Sequence, residues 1–91
     1  MRRVHVVVGG EVQGVGYRYT MQHVAQRARA TGWVRNLRDG RVEAEVEGTD
    51  AAVGTVLAWM AEGPRGGRVA SLDHRDIDPV GGTGFDVRRD G

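Results

Sequence analysis

The chain has 91 residues, a formal net charge of +1 and no cysteine. A chain of this length builds one small core, so we expect residues 1–91 to form a single domain. The absence of cysteine excludes disulfides, thiolate nucleophiles and cysteine metal sites, and the near-neutral charge gives no general attraction to nucleic acid or anionic lipid.

The first part of the chain predicts a strand followed by a glycine-rich turn. Residues 3–8 are rich in valine, with Val4, Val6 and Val8 on one face, which is typical of a strand. The turn that follows carries four glycines: Gly9, Gly10, Gly14 and Gly16. Glycine tolerates positive φ, so successive N–H groups of such a turn can converge on a phosphate at the start of the next helix. An ordinary tight connection explains the glycines equally well.

An amphipathic helix is predicted after the turn. It would begin after Arg18 and end at Gly32, a residue suited to a C-terminal cap. Its apolar residues recur at helical spacing: Met21, Val24, Ala25 and Ala28. Arg18 would lie at the rim of the glycine turn and face a bound anion, unless it is an ordinary surface arginine.

Residues 33–37 and 41–47 are predicted to form a hairpin, because the Asp-Gly pair at 39–40 is a strong turn signal. Apolar and charged residues alternate strictly in the second strand, so one face of the sheet should be buried and the other exposed. Asn36 lies two residues after Val34 and therefore on the same, helix-covered side. Its amide could bind a water beside the glycine turn, or it could support the Asp-Gly turn.

The rest of the chain predicts a second helix and two more strands. Thr49 or Asp50 can cap the helix, which ends at Gly63. A long strand is predicted over 68–78, and a short final strand over 85–87. Strand, helix, strand, strand, helix, strand is the order of an α+β, ferredoxin-like two-layer sandwich, with two helices on one face of an antiparallel or mixed sheet.

This fold hosts unrelated functions, so the site residues must decide between them. RNA-recognition modules need aromatic side chains on the open face of the two central strands. The corresponding positions hold no Phe, Tyr or Trp, and this face would repel phosphate more than stack bases. They are Arg3, His5, Val7, Arg41, Glu43, Glu45 and Glu47. We therefore expect no nucleic-acid partner.

Three segments of the chain carry a specific combination of motifs: GEVQGVGYR from Gly10, GWVRNLRDGRVEAEVEG from Gly32 and GPRGGRV from Gly63. With these motifs the chain is similar to the acylphosphatase family over nearly its whole length. This resemblance implies a ferredoxin-like fold and an enzyme that needs no metal or other cofactor. The implied reaction is hydrolysis of the carboxyl–phosphate bond of a small acyl phosphate, which gives a carboxylate and inorganic phosphate.

The resemblance also implies individual roles for the residues of the glycine turn. Backbone amides would hold the phosphoryl group, and these are the amides of Gln13, Gly14, Val15, Gly16, Tyr17 and Arg18. Arg18 matches the phosphate-binding arginine of the family, and Asn36 matches its water-orienting asparagine, which would make these two the catalytic residues. Glu11 departs from the pattern, because a basic residue is common at that place and a carboxylate opposes a dianion.

The chemistry of the residues agrees with this reaction on independent grounds. An acyl phosphate leaves as a carboxylate, which needs no proton, so amides and a guanidinium suffice without a general acid. The alternative is a non-catalytic anion-binding module of the same fold, similar to the domain at the front of hydrogenase-maturation proteins. The presence of both Arg18 and Asn36 argues against that alternative.

The remaining expectations concern metals and location. His5, His23 and His74 are scattered along the chain, which predicts no metal site. No apolar segment reaches the length of a signal region or a membrane span, so we expect a cytoplasmic protein without a membrane partner. We also expect a monomer.

Overall fold

The computed structural model describes all residues from Met1 to Gly91. The chain forms five strands and two helices in the order β1, α1, β2, β3, α2, β4, β5. Their bounds are β1 Arg2–Glu11, α1 Tyr17–Arg27, β2 Thr31–Asn36, β3 Val42–Gly48, α2 Asp50–Glu62, β4 Arg68–Ile77 and β5 Phe85–Val87. Neither helix combines the length and the apolar character that crossing a membrane requires.

The strands form one sheet in the order β4-β1-β3-β2-β5. The first four strands pair antiparallel, whereas β5 runs parallel to β2, so the sheet is mixed. Both helices contribute residues to the single core on one side of this sheet. The predicted α+β, ferredoxin-like sandwich is therefore confirmed.

The core lies between the sheet and the helices, where the alternating strand residues meet the apolar helix positions. The sheet contributes Val4, Val6, Val8, Val34, Val42, Ala44 and Val46, and the helices contribute Met21, Ala25, Val53, Val56 and Met60. Burying each of the valine and methionine side chains in this core contributes roughly 1.5–3 kcal/mol, so the packing of both helices on the sheet stabilises the fold. This packing also presents the β1–α1 connection at one edge of the sandwich.

The glycine turn is shorter than its sequence predicts. Gly9 and Gly10 belong to β1, which continues to Glu11 with a register shift between the two glycines in its pairing with β4. The backbones approach so closely here that a Cβ at Gly10 would lie 2.7 Å from Ala70 N. These two glycines therefore serve strand pairing, and the turn proper consists of residues 12–16.

The end of α1 also differs from the prediction. The left-handed residue after the helix is Arg29, at φ 62°, and Ala30 N–H donates to Ala25 O at 2.9 Å to close the helix end. Gly32 is not the cap but lies inside β2, where a Cβ would collide with the carbonyl oxygen of Glu45. Close strand pairing, and not helix termination, requires this glycine.

The open face of the sheet is less exposed than the alternation predicts. Arg3 is 5% exposed and Glu47 is 3% exposed. Glu47 accepts hydrogen bonds from Val80 N–H at 2.7 Å and Gly81 N–H at 3.0 Å, so the segment after β4 folds over this part of the face. Arg3 completes the cluster, because it donates to Glu47 at 3.2 Å and to Glu45 at 2.8 Å.

Candidate active site

The connection between β1 and α1 is the first part of the site, and we call residues 12–16 the glycine loop. Gly14 and Gly16 have φ of 75° and 76°, and Val15 between them has a negative φ. Alternation of this kind turns successive backbone N–H groups towards one side and forms an anion-binding concavity. A Cβ at Gly14 would meet nothing within 4 Å, so the backbone conformation, not space, favours glycine there.

Two valines hold the glycine loop against the body of the protein. Val12 is fully buried, and Val15 packs against the hydrophobic core. Val15 also fits closely against the loop before β4, since a Cβ at Gly67 would lie 3.1 Å from its Cγ2. The apolar side chains therefore point inward, while the glycines and their amides remain at the surface.

The backbone N–H groups of the glycine loop have no acceptor within the chain. None of the N–H groups from Gln13 to Gly16 donates a hydrogen bond, and the bonds of α1 begin with Thr20 N–H to Gly16 O at 3.1 Å. Gly16, the N-cap residue, offers no side chain, and the first turn carries no acidic residue. The amides of Tyr17 and Arg18 lie in that first turn, where the helix dipole adds a partial positive charge.

Arg18 lies beside the glycine loop with a side chain that is 26% exposed. Its Nη1 donates to Asp90 Oδ1 at 3.3 Å, and its guanidinium carbon lies 5.7 Å from the centre of the Tyr19 ring. Asp90 is 65% exposed, and an ion pair this open to water contributes at most about 1 kcal/mol. A stronger anion can therefore displace the aspartate from Arg18.

Asn36 ends β2 on the helix-covered side, together with the buried Val34 as predicted, and only 8% of it is exposed. Its Oδ1 is buried without a hydrogen-bond partner. No other group of the chain satisfies this acceptor, so the Oδ1 is free to accept a hydrogen bond from a water. The amide does not support the following turn, which is held by Gly40 N–H to Leu37 O at 3.2 Å and by Arg41 N–H to Asp39 at 3.1 Å.

Two bridges bring the glycine loop, Arg18 and Asn36 to the same edge of the sandwich. The side chain of Gln13 donates to Leu37 O at 2.7 Å, directly after Asn36. On the other side, the segment after β5 follows β2, so that Gly91 N–H donates to Asn36 O at 2.8 Å while its neighbour Asp90 contacts Arg18. Every residue predicted for the site therefore lies in one neighbourhood.

The Tyr17 side chain forms a contact with α2 that its place in the motif does not predict. Its hydroxyl donates to Met60 O at 2.8 Å, and its ring centre lies 5.0 Å from that of Trp59. Burial raises the pKa of the Tyr17 hydroxyl well above its ordinary value, so the group stays protonated as a donor. Tyr17 thus anchors the start of α1, and with it the amides of the first turn, to the end of α2.

The pairing of Arg18 with Asp90 also escapes sequence analysis. The two residues are 72 positions apart, and no motif links them. The nearest available signal is the final strand predicted over 85–87, which leaves the following residues beside β2. Apart from this carboxylate, the neighbourhood adds no metal ligands, since no group of three or more His, Cys, Asp or Glu side chains in the chain could hold a metal ion.

Comparison with known proteins supports the resemblance seen in the motifs. The family model named Acylphosphatase matches residues 4–87, a span that contains the glycine loop, Arg18 and Asn36. The chain belongs to the acylphosphatase family. Asp90 lies outside the matched span.

Individual acylphosphatases are similar to this chain over almost their full length. The acylphosphatase of Methylococcus capsulatus is 50% identical to this chain over 91 residues, which are 99% of each chain. That of Anaeromyxobacter dehalogenans is 47% identical over 87 residues, 94% of each chain. The crystal structure of acylphosphatase from Bacillus subtilis matches with a TM-score of 0.93 at 31% identity, covering 97% of this chain and 99% of that one. The predicted family and enzyme class are confirmed.

Proposed function

We propose that this chain hydrolyses small acyl phosphates to a carboxylate and inorganic phosphate, and that the glycine loop, Arg18 and Asn36 carry the reaction. The observation that carries this proposal is the buried Asn36 Oδ1, which has no partner and lies next to a loop of N–H groups that also have none. Membership of the acylphosphatase family supports the reaction class.

In this proposal the phosphoryl group is bound by donors that the fold does not use. The amides from Gln13 to Arg18 donate to the phosphoryl oxygens at the positive end of α1. The guanidinium of Arg18 exchanges Asp90 for two phosphoryl oxygens, because a planar fork matches a phosphoryl group better than a single carboxylate oxygen at 3.3 Å. The same contacts stabilise the charge of the transition state.

Asn36 supplies the second element, an acceptor for the attacking water. Its Oδ1 accepts one O–H of the water and directs the oxygen lone pair at phosphorus, in line with the leaving oxygen. The phosphorus–oxygen bond to the acyl group then breaks, and its electron pair stays with the carboxylate. That leaving group needs no proton, and the proton of the water passes to the phosphate product or to solvent.

The non-catalytic anion-binding module remains the competing function. Such a module would use the glycine loop and Arg18 but has no use for a water acceptor at Asn36. The buried Asn36 Oδ1, which bonds no other group of the chain, is placed to accept a hydrogen bond from such a water and therefore supports the enzyme.

Hydrolysis of benzoyl phosphate, followed by ultraviolet absorbance, tests the proposal. We expect turnover that is competitively inhibited by inorganic phosphate, is unchanged by EDTA and is broad between mildly acidic and neutral pH. Phosphate binding without hydrolysis would support the binding module instead. Loss of activity in EDTA that a divalent ion restores would contradict the metal-independent reaction.

We propose further that the protein acts in the cytoplasm as a monomer, without nucleic-acid or membrane partners. Support for the monomer comes from the site, since one chain supplies the glycine loop, Arg18 and Asn36. Size-exclusion chromatography with light scattering should give the mass of one chain, 9.9 kDa. A mass of twice that value at working concentrations would contradict this expectation.

A further inference from the structure

The side chain of Gln13 joins the glycine loop to the β2–β3 hairpin. Its Nε2 donates to two backbone carbonyls, Leu37 O at 2.7 Å and Arg41 O at 3.0 Å. These carbonyls stand at the base of the hairpin turn, where Leu37 N–H also donates to Arg41 O at 2.8 Å. One amide group therefore reaches both sides of the hairpin at the point where β2 ends.

Few residue types can make this bridge. A glutamine nitrogen carries two donors and no charge, so it serves both carbonyls without placing a cation beside the anion site. Glutamate has no donor at neutral pH, and asparagine is shorter by one methylene. The length and the two N–H donors of the Gln13 side chain therefore match the carbonyl oxygens of Leu37 and Arg41.

The bridge connects the two halves of the proposed site, because Leu37 follows Asn36 directly and Gln13 itself belongs to the glycine loop. We propose that Gln13 is a positioning residue whose side chain sets the distance between the phosphoryl group on the loop and the water on Asn36. This role rests on the proposed function. In-line attack tolerates little misplacement, and a shift of about 1 Å can cost on the order of 10² in rate.

Loss of the bridge should not unfold the protein. Leu37 O also accepts from Gly40 N–H at 3.2 Å, and Arg41 O also accepts from Leu37 N–H, so both carbonyls keep a donor. Gln13→Met replaces the amide with an apolar side chain of similar length and introduces no unpaired group. We therefore expect its effect in turnover and not in folding.

Gln22→Met is the matched control. Gln22 on α1 also donates from Nε2 to a backbone carbonyl, Phe85 O at 2.8 Å, so this variant loses the same kind of bond away from the loop. We expect kcat for benzoyl phosphate to fall about ten- to hundredfold in Gln13→Met, with the Ki of inorganic phosphate changed less than about twofold. Gln22→Met should keep both values of the wild type.

A double-mutant cycle separates positioning from a general structural role. If Gln13 acts through the water on Asn36, Gln13→Met should cost little further activity once Asn36→Ala has removed the acceptor. Combined with Arg18→Lys, by contrast, the two losses should multiply. A structural bridge would give multiplying losses in both pairs.

The outcomes distinguish this role from the proposed function. A wild-type chain that does not hydrolyse benzoyl phosphate would overturn the proposed function, and the role of Gln13 with it. An active wild type with normal kcat in Gln13→Met would overturn the role of Gln13 alone, as would losses that multiply with those of Asn36→Ala. A Gln13→Met variant that melts far below Gln22→Met would show the bridge to be structural.

Discussion

The glycine-loop edge and the open face of the sheet use polar groups in opposite ways. On the open face the carboxylates have partners: Glu43 bonds His5 at 2.8 Å and Arg35 at 2.7 Å, and Glu47 bonds Arg3 and two backbone amides. At the loop edge the amides from Gln13 to Gly16 and the Oδ1 of Asn36 have none.

The difference separates groups that serve folding from groups that are free to serve a ligand. Burial raises the pKa of Glu43, but the hydrogen bonds from His5 and Arg35 more than offset this effect, so the pKa lies below its ordinary value and the charge is retained. The groups at the loop edge have no partner within the chain instead, so they are free to bind a phosphoryl group and a water. Substitutions in the two regions should therefore move different observables.

The largest effect is expected at Arg18. Arg18→Lys should be nearly as damaging as Arg18→Ala, since lysine offers a point charge where the phosphoryl group needs a fork. We expect kcat/KM for benzoyl phosphate to fall by about 10²–10³, equivalent to roughly 3–4 kcal/mol, with Tm nearly unchanged. Inorganic phosphate should bind more weakly to both variants. If Arg18→Lys retained most of the activity, the proposed bidentate contact between Arg18 and two phosphoryl oxygens would be wrong.

Asn36→Ala should have the next largest effect. We expect kcat to fall on the order of 10², while the Ki of inorganic phosphate changes little, because product binding does not use the attacking water. Measuring kcat, Ki and Tm on one preparation decides between the roles. Normal turnover with a lowered Tm would make Asn36 a structural residue. Its amide would then serve folding, as the carboxylates of the open face do.

On the open face, Glu47→Gln should change stability and leave turnover unchanged. The hydrogen bond from Val80 N–H, helped by those from Arg3 and Gly81 N–H, lowers the pKa of Glu47 from 4.5 despite the opposing effect of burial. A pKa that is lower in the folded state contributes stability above the unfolded value and loses it as pH falls through the folded value.

The wild type should therefore lose free energy of unfolding as pH falls from about 5 to 3, and Glu47→Gln should show less of this loss and lower stability at neutral pH. Urea unfolding across this pH range provides the measurement. Glu62→Gln is the control, because the Glu62 side chain at the end of α2 is exposed and forms no hydrogen bond or ion pair that the structure shows. Equal acid sensitivity in wild type and Glu47→Gln would contradict the role of Glu47.

The smallest effect is expected at Arg29, where a strained backbone conformation lies away from the candidate site. Arg29 is a left-handed residue at the end of α1 opposite the glycine loop, so Arg29→Gly should raise the free energy of unfolding by about 1 kcal/mol or less without affecting kcat. Arg27→Gly, inside the last turn of the same helix, should lower it by about 1 kcal/mol. A loss of activity in Arg29→Gly would extend the site to this end of the helix.

The sequence by itself determined the order of the elements, the fold and the family, whereas the roles of the residues named for the candidate site stay a prediction. Strict alternation over 41–47 and helical spacing from Met21 show which side of a strand or helix is buried. Each pattern lies within a single element, so it can be read without knowing the rest of the fold. The glycine loop and Asn36 were expected to meet because β1 and β2 were taken to be adjacent, but β3 lies between these two strands. The two segments meet because both lie at the same edge of the sandwich, where Gln13 reaches Leu37.

Only the tertiary structure decided which partner each polar group finds. The left-handed residue at the end of α1 is Arg29 and not Gly32, which was expected to cap the helix. Gly32 lies in β2 instead, where close pairing with β3 leaves no room for a Cβ. Asp90 on Arg18 and the bridge from Gln13 to Leu37 join residues far apart in the chain. Such contacts depend on strand register and on how connections fold over the sheet, and no spacing within a single element carries that information.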